Sequence, residues 1–151
     1  MNIQIDDLSG PEIAQLLTEH LNDMHATSPA ESVHALDLSG LKKSNITFWT
    51  VWENDQLLGC GALKQLDATH GEIKSMRTSN TARNKGVASS LLQHILHTAT
   101  QQGMTKISLE TGSQSFFEPA RRLYQKHGFT ECKPFADYKL DPHSVFMSKA
   151  L

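Results

Sequence analysis

Between Ile46 and Ala99 the spacing of apolar residues changes period once, and that change constrains the fold more than anything else in the chain. Ile46, Phe48, Trp49, Val51 and Trp52 make a β-rich run that breaks at Asn54-Asp55, a dipeptide that predicts a hairpin turn. Leu57 to Leu66 returns as a second strand, carrying Gly59 and Gly61 where another group approaches the backbone closely. A third strand is expected from Gly71 to about Thr78, so residues 46–78 read as an antiparallel meander. From Ala88 the period becomes helical. Ala88, Leu91, Leu92, Ile95, Leu96 and Ala99 form the apolar face of a long helix that Gly103 ends.

The flanking segments supply more elements of both kinds. Met1 to Ile5 suits a short strand, and Ser9-Gly10-Pro11-Glu12 predicts a capping box. Behind it Ile13, Leu16, Leu17, Leu21 and Met24 recur at helical spacing to about residue 25. Ser28-Pro29-Ala30-Glu31 repeats the cap and predicts a short helix through Val33 and Leu36. Lys106 to Glu110 reads as a strand. Pro119 opens a helix with Ala120, Leu123 and Tyr124 inward, Gly128 ends it, and Phe129 to Leu140 and Ser144 to Met147 hold the last two strands. With no internal repeat or linker-like composition, these elements share one core, and 151 residues fit a single domain. Such a domain buries roughly 70% of its extended surface and needs no disulfide or metal staple.

Composition removes several classes of function. Fourteen Lys plus Arg against sixteen Asp plus Glu leave a net charge of −2, which gives no overall attraction to nucleic acid or to an anionic membrane. No apolar run approaches the roughly 18 residues of a membrane span, and Met1 to Asp7 lacks the regions of a signal peptide, so the cytoplasm is the expected compartment. Cys60 and Cys132 lack CxxC spacing and are expected to be free buried thiols. The histidines close in sequence, His20 with His25 and His94 with His97, come without an HExxH pattern, and no metal is expected.

The most informative segment for chemistry is Arg83-Asn84-Lys85-Gly86-Val87-Ala88, where a strand and loop give way to the long helix. A helix start offers unpaired N–H groups and the positive end of the dipole, which together accept phosphate oxygens. Gly86 lets the backbone approach an anion, small Ala88 avoids a clash, and Arg83 and Lys85 add charge.

This segment resembles the acetyl-coenzyme A loop of the GNAT superfamily of N-acetyltransferases: Gln or Arg, two residues, Gly, one residue, then Gly or Ala, filled here by Arg83, Gly86 and Ala88. Downstream, Ala120 through Leu123-Tyr124 to Gly128-Phe129 is similar to the family's helix signature, in the family's order and separation. An Asn often found shortly before that Ala is replaced by Phe116, Phe117, Glu118 and Pro119. The resemblance covers nearly the whole chain. It implies an α/β fold, a mixed, centrally splayed sheet of six or seven strands flanked by about four helices. It implies acetyl-coenzyme A as acyl donor, with the pantetheine arm pairing to Met76, Arg77 and Thr78 and the pyrophosphate held over Arg83, Asn84, Lys85, Gly86, Val87 and Ala88. Pairing of residues 76–78 with the next strand is the alternative.

Within that resemblance Tyr124 matches the general acid, a phenol able to protonate the departing thiolate; its alternative is a core tyrosine. Glu72 is similar to a strand glutamate that serves as base in histone-type members. Residues two apart on a strand share a face, so Lys74 is equally placed to neutralise it; Glu110 is the second candidate, and a chain of waters, as in many relatives, is the third. The acceptor side would be walled by His25, Ser28, Glu31 and His34 and, opposite, by Tyr138 and His143, although Ser28 and Glu31 also serve the expected cap. Arg121, Arg122 and Lys126 make a basic helix face, either solvated or near the coenzyme's 3′-phosphate. The expected reaction is direct transfer of acetyl to an amine of a small-molecule or peptide acceptor, in a possible homodimer. Neither cysteine has a base beside it for an acyl-cysteine route. A non-catalytic acetyl-coenzyme A sensor fits the same loop, whereas a dinucleotide oxidoreductase lacks its GxGxxG.

Overall fold

The computed structural model describes residues 1–151. In chain order the elements are β1 (Asn2–Ile5), α1 (Pro11–Thr27), α2 (Leu38–Leu41), β2 (Ile46–Glu53), β3 (Gln56–Gln65), β4 (His70–Thr78), α3 (Val87–Gln101), β5 (Lys106–Gly112), α4 (Glu118–Lys126), β6 (Thr130–Glu131) and β7 (Ser144–Ala150). Single 3₁₀ turns lie at Ala30–Ser32, Asn80–Ala82 and Ser115–Phe117. The seven strands form one sheet in the order β1-β2-β3-β4-β5-β7-β6. Only β4 and β5 are parallel neighbours, so the sheet is mixed as the resemblance implied. No helix is long and apolar enough to cross a membrane.

The meander forms for the reasons its residues suggest. Asn54 and Asp55 take φ values of 49° and 64°, the pair of positive angles that a two-residue hairpin turn between twisted strands requires. Along β2, alternation sends Trp49 and Val51 to one face and Phe48 to the other. The first face packs against α3 and α4, with Leu91, Leu92, Ile95, Tyr124 and Phe129 in one buried cluster. The second packs against α1 and α2 through Ile13, Leu16, Leu17 and Leu41. Gly61 is where α3 comes closest: an added Cβ would collide with the Met76 sulfur and lie 3.1 Å from Leu91.

Three local expectations are corrected. Ser9 does not cap α1, because its hydroxyl bonds to Asp7 at 2.6 Å and Gly10 takes the cap position without a side-chain bond. Ser28 starts no helix through Val33 and Leu36. The 3₁₀ turn there is held instead by Ser32, which donates to Asp141 Oδ2 at 2.6 Å, and the next helix, α2, is capped by Asp37. The expected strand over Phe129 to Leu140 stops at Glu131. Cys132 N–H still reaches Phe146 C=O at 2.8 Å, but Pro134 has no N–H to continue the ladder and the chain leaves the sheet. Cys60 is buried as expected, whereas Cys132 is only half-buried.

His20 sits on the inner side of α1 at 7% exposure, and burial, helped by the charge of Arg77, holds its imidazole down at about 4. The unfolded chain takes up a proton near 6.5 that the folded protein refuses until about 4, so stability is lost as pH falls through that window. In urea unfolding, the wild type is expected to lose up to about 3 kcal/mol relative to His20→Gln between pH 7 and pH 4. Parallel curves for the two proteins would show that His20 titrates normally in the fold.

Candidate active site

The site opens where β4 and β5 part. Their parallel register runs from His70 opposite Lys106 to Ile73 opposite Leu109 and then ends. Beyond that point β5 follows β7, with Glu110 opposite Phe146, while β4 stays with β3. A bulge opposite Gly61 lets β4 turn away: the register shifts between Cys60 and Ala62, and Ser75 takes φ 56°. From Lys74 to Thr78 the edge of β4 that faces β5 therefore has no strand partner. The pairing with a next strand that was the alternative for Met76, Arg77 and Thr78 is absent on that edge, and all three line a cleft of about 650 Å³.

The loop before α3 meets the same cleft. Asn84 and Gly86 both have positive φ, 64° and 77°, so the chain curls and exposes its N–H groups to one side. The first backbone bond into α3 runs from Ser90 N–H to Gly86 C=O at 3.0 Å, which leaves the N–H groups of Val87, Ala88 and Ser89 outside the helix ladder. A Cβ on Gly86 would meet nothing within 4 Å, so the space over this backbone is open. Arg83, Asn84, Gly86, Val87 and Ala88 line the cleft; Lys85 does not. Val87 contributes only backbone here, since its side chain lies in the core.

Tyr124 reaches the cleft from α4. Its ring packs edge-on to Phe129 at 5.7 Å and is 6% exposed, while its hydroxyl has no hydrogen bond within the protein. Burial, and secondarily the charge of Glu110, pushes the phenol well above its usual value, so it stays protonated. The ring is core, as one of the two sequence readings had it, and the residue also lines the cleft.

Across the splay lies a polar wall. Glu72 pairs with Ser108 across the ladder, so Glu72, Lys74 and Glu110 share the sheet face that packs on α1. The Glu72–Lys74 ion pair forms, at 3.1 Å. Glu72 Oε2 also accepts the Tyr138 hydroxyl at 2.6 Å, and Lys74 Nζ donates to that hydroxyl oxygen at 2.9 Å. Tyr138 is wedged among His34, Phe135 and Phe146, with ring centroids 5.0, 5.0 and 5.5 Å away. Glu110 makes no ion pair, and burial lifts its carboxyl to about 7 against the pull of the nearby Ser144 hydroxyl and of Lys74.

Two hydrogen bonds among three connections, those between α1 and α2, β5 and α4, and β6 and β7, close this wall. Ser32 bonds to Asp141, and Gln114 Nε2 donates to Ser28 Oγ at 3.2 Å. Ser28, His34, Tyr138 and His143 line the cleft as expected; His25 and Glu31 do not. The sequence reading missed Ser32, Gln114 and Asp141, whose pairings span up to 109 residues and leave no local pattern. Arg121 is not on a solvated face: it donates to the carbonyls of Gly112 and Gln114 at 2.7 and 3.0 Å and clamps the connection from β5 to α4. Cys60 is wholly buried, and burial lifts its thiol to about 12, which removes it as an acyl carrier at neutral pH.

The model of the acetyltransferase (GNAT) family matches residues 11–129. Over 151 residues, all of both chains, the sequence is 57% identical to Uncharacterized N-acetyltransferase YsnE of Bacillus subtilis (strain 168). It is 51% identical over 149 residues to Uncharacterized N-acetyltransferase YedL of Escherichia coli (strain K12), covering 99% of this chain and 94% of the relative. In fold it is similar to an aminoglycoside 6′-N-acetyltransferase complexed with coenzyme A, with a TM-score of 0.72 at 14% identity over 99% of this chain and 97% of that one.

Asp tolerates positive φ better than most residues, so Gly86→Asp should fold while placing a carboxylate over the open N–H groups. Calorimetry should detect no coenzyme A binding to the folded variant, and a smaller loss for Arg83→Ala, which leaves those groups intact. Unchanged affinity in Gly86→Asp would move the phosphate site elsewhere.

Proposed function

Because the chain belongs to the acetyltransferase (GNAT) family, we propose that it transfers the acetyl group of acetyl-coenzyme A directly to an amine, with donor and acceptor bound together in the cleft between β4 and β5. One observation carries this reading: the unpartnered edge of β4 runs to the curled loop of α3, so a strand-like arm and a pyrophosphate find their partners in sequence along one path. Backbone groups of Met76, Arg77 and Thr78 would bond the pantetheine arm as an added strand. The N–H groups after Gly86, helped by Arg83 and Asn84, would hold the pyrophosphate.

When bound, the coenzyme supplies the activated acetyl thioester. The chain's residues orient it and move protons. Tyr124, on the α4 side of the splay, would give its proton to the departing sulfur, and the raised affinity of its hydroxyl for that proton keeps the donor loaded. The other side of the splay would receive the acceptor. Lys74 and Arg77 there are already paired, with Glu72 and with Asp23 at 2.7 Å, which favours an amine over an anionic partner. A small amine suits a cleft of about 650 Å³ whose polar wall is tied down by Ser32 on Asp141, Gln114 on Ser28 and Tyr138 on Glu72.

Tyr124→Phe tests the chemistry apart from the packing. The ring contacts remain, and the hydroxyl has no protein hydrogen bond to lose, so the melting temperature should be nearly unchanged. Acetyl-coenzyme A affinity should be retained while kcat falls about 10²-fold or more in a thiol-release assay. Turnover near wild type would reduce Tyr124 to a packing residue; loss of binding would make its hydroxyl a coenzyme ligand.

A further inference from the structure

We propose that Glu110 is the carboxylate that takes the proton of the acceptor amine, and that Glu72 acts through Tyr138 and Lys74 as a positioning residue. This rests on the acetyl-transfer reading and assigns within it the role left open between two strand glutamates.

The two side chains share a sheet face but differ in what they touch. Glu72 is 2% exposed, and its Oε2 is taken by two donors on different elements, Lys74 Nζ at 3.1 Å and Tyr138 hydroxyl at 2.6 Å. Protonation of Glu72 would remove the negative charge that both donors bind, and with it the ion pair that fixes Lys74 beside Tyr138 and the aromatic wall. Glu110 lies one residue past Leu109, the last paired position of β5 on β4, and therefore at the mouth of the splay. It lines the cleft, has Phe146 opposite it in the ladder, and makes no ion pair.

Its position relative to Tyr124 fits the two proton transfers. Tyr124 belongs to the core on the α3 and α4 face, whereas Glu110 shares the opposite face with Glu72, so the two groups flank the splay from its two sides. An acceptor ammonium entering from the α1 side would lose one proton to the Glu110 carboxylate. The neutral nitrogen then attacks the thioester carbonyl; the C–N bond forms and the C–S bond breaks. Tyr124 gives its proton to the departing sulfur, the second proton of the nitrogen passes to the Tyr124 phenolate and restores it, and Glu110 releases the first proton to solvent. The amide, free thiol and one proton are the products.

The groups facing Glu110 explain why it can work near neutral pH. Burial is the main cause of its raised value of about 7. Ser144 on β7 and Lys74 on β4 pull the value down, while Glu72 on β4 and Asp141 in the connection to β7 push it up. From α4 and from the same connection, Tyr124 and Tyr138 remain protonated beside it.

The experiment uses the full chain with acetyl-coenzyme A and a panel of putrescine, kanamycin, tyramine, L-lysine and a tripeptide, followed by thiol release from pH 5.5 to 9. For the best acceptor, Glu110→Gln should lower kcat/KM about 10²-fold or more and abolish the acid limb near pH 7. Glu72→Gln should slow the reaction and keep that limb. Glu110→Asp, which retains a carboxylate, should restore part of the rate with the limb. A ¹³C carboxyl titration without acceptor should show one resonance titrating near 7 that disappears in Glu110→Gln. Turnover and acid limb intact in folded Glu110→Gln, or a limb lost only in Glu72→Gln, would overturn the assignment and leave acetyl transfer standing. Absence of thiol release from wild type with every amine would overturn the acetyl-transfer reading itself.

Discussion

Everything in the site depends on the place where the backbone hydrogen bonds between β4 and β5 stop. Two parallel strands that paired to their ends would close the sheet and leave no cleft between its layers. Here the ladder ends at Ile73 and Leu109, and each strand is held away from the other by its own contacts. On the β4 side the bulge at Ser75 increases the local twist. On the β5 side Arg121 pins the carbonyls of Gly112 and Gln114, and Phe117 packs onto Gly112 so closely that no larger residue would fit. The opening is built by these contacts, so it is part of the resting fold.

Holding strands apart exposes polar backbone, and the two cores must compensate for it. The larger core joins α3 and α4 to the sheet through fully buried Leu91, Leu92, Ile95 and Ile107, each contributing about 1.5–3 kcal/mol of transfer free energy. Gly61 lets Met76 and α3 come together over β3, which anchors the strand on the paired side of the bulge. The smaller core fixes α1 under the other face. Its helix also carries Asp23, whose carboxylate meets Arg77 and ties the end of β4 down beyond the splay.

The legibility of the sequence follows the range of the interactions. The meander, α3 and α4 were readable because each is written in contiguous periodicity and local turn chemistry, such as Asn54-Asp55 and Gly103. Ser28 misled for the same reason. A serine before proline looks like a cap until the partner from a distant loop is known, and that partner is Gln114. Pro134 was visible and should have shortened the strand expected after Phe129, because a missing N–H interrupts a ladder wherever it falls.

The two halves of the site differ in the same way. The half over the loop of α3 is built almost wholly from backbone, and backbone geometry demands particular residues: positive φ at Gly86 and open space above it leave little choice. Such a demand appears in the sequence as a short motif. The opposite half is built from side chains that different connections bring together, with Tyr138 on Glu72, Asp141 on Ser32 and Gln114 on Ser28. Many residue sets could wall a cavity of that kind, so no motif records it. On the proposed reading the division has a functional consequence: changes in the connections would alter what the polar wall accepts while the splay, its bulge and the loop before α3 stay in register. Acceptor preference is then expected to follow the three connections more closely than the strands.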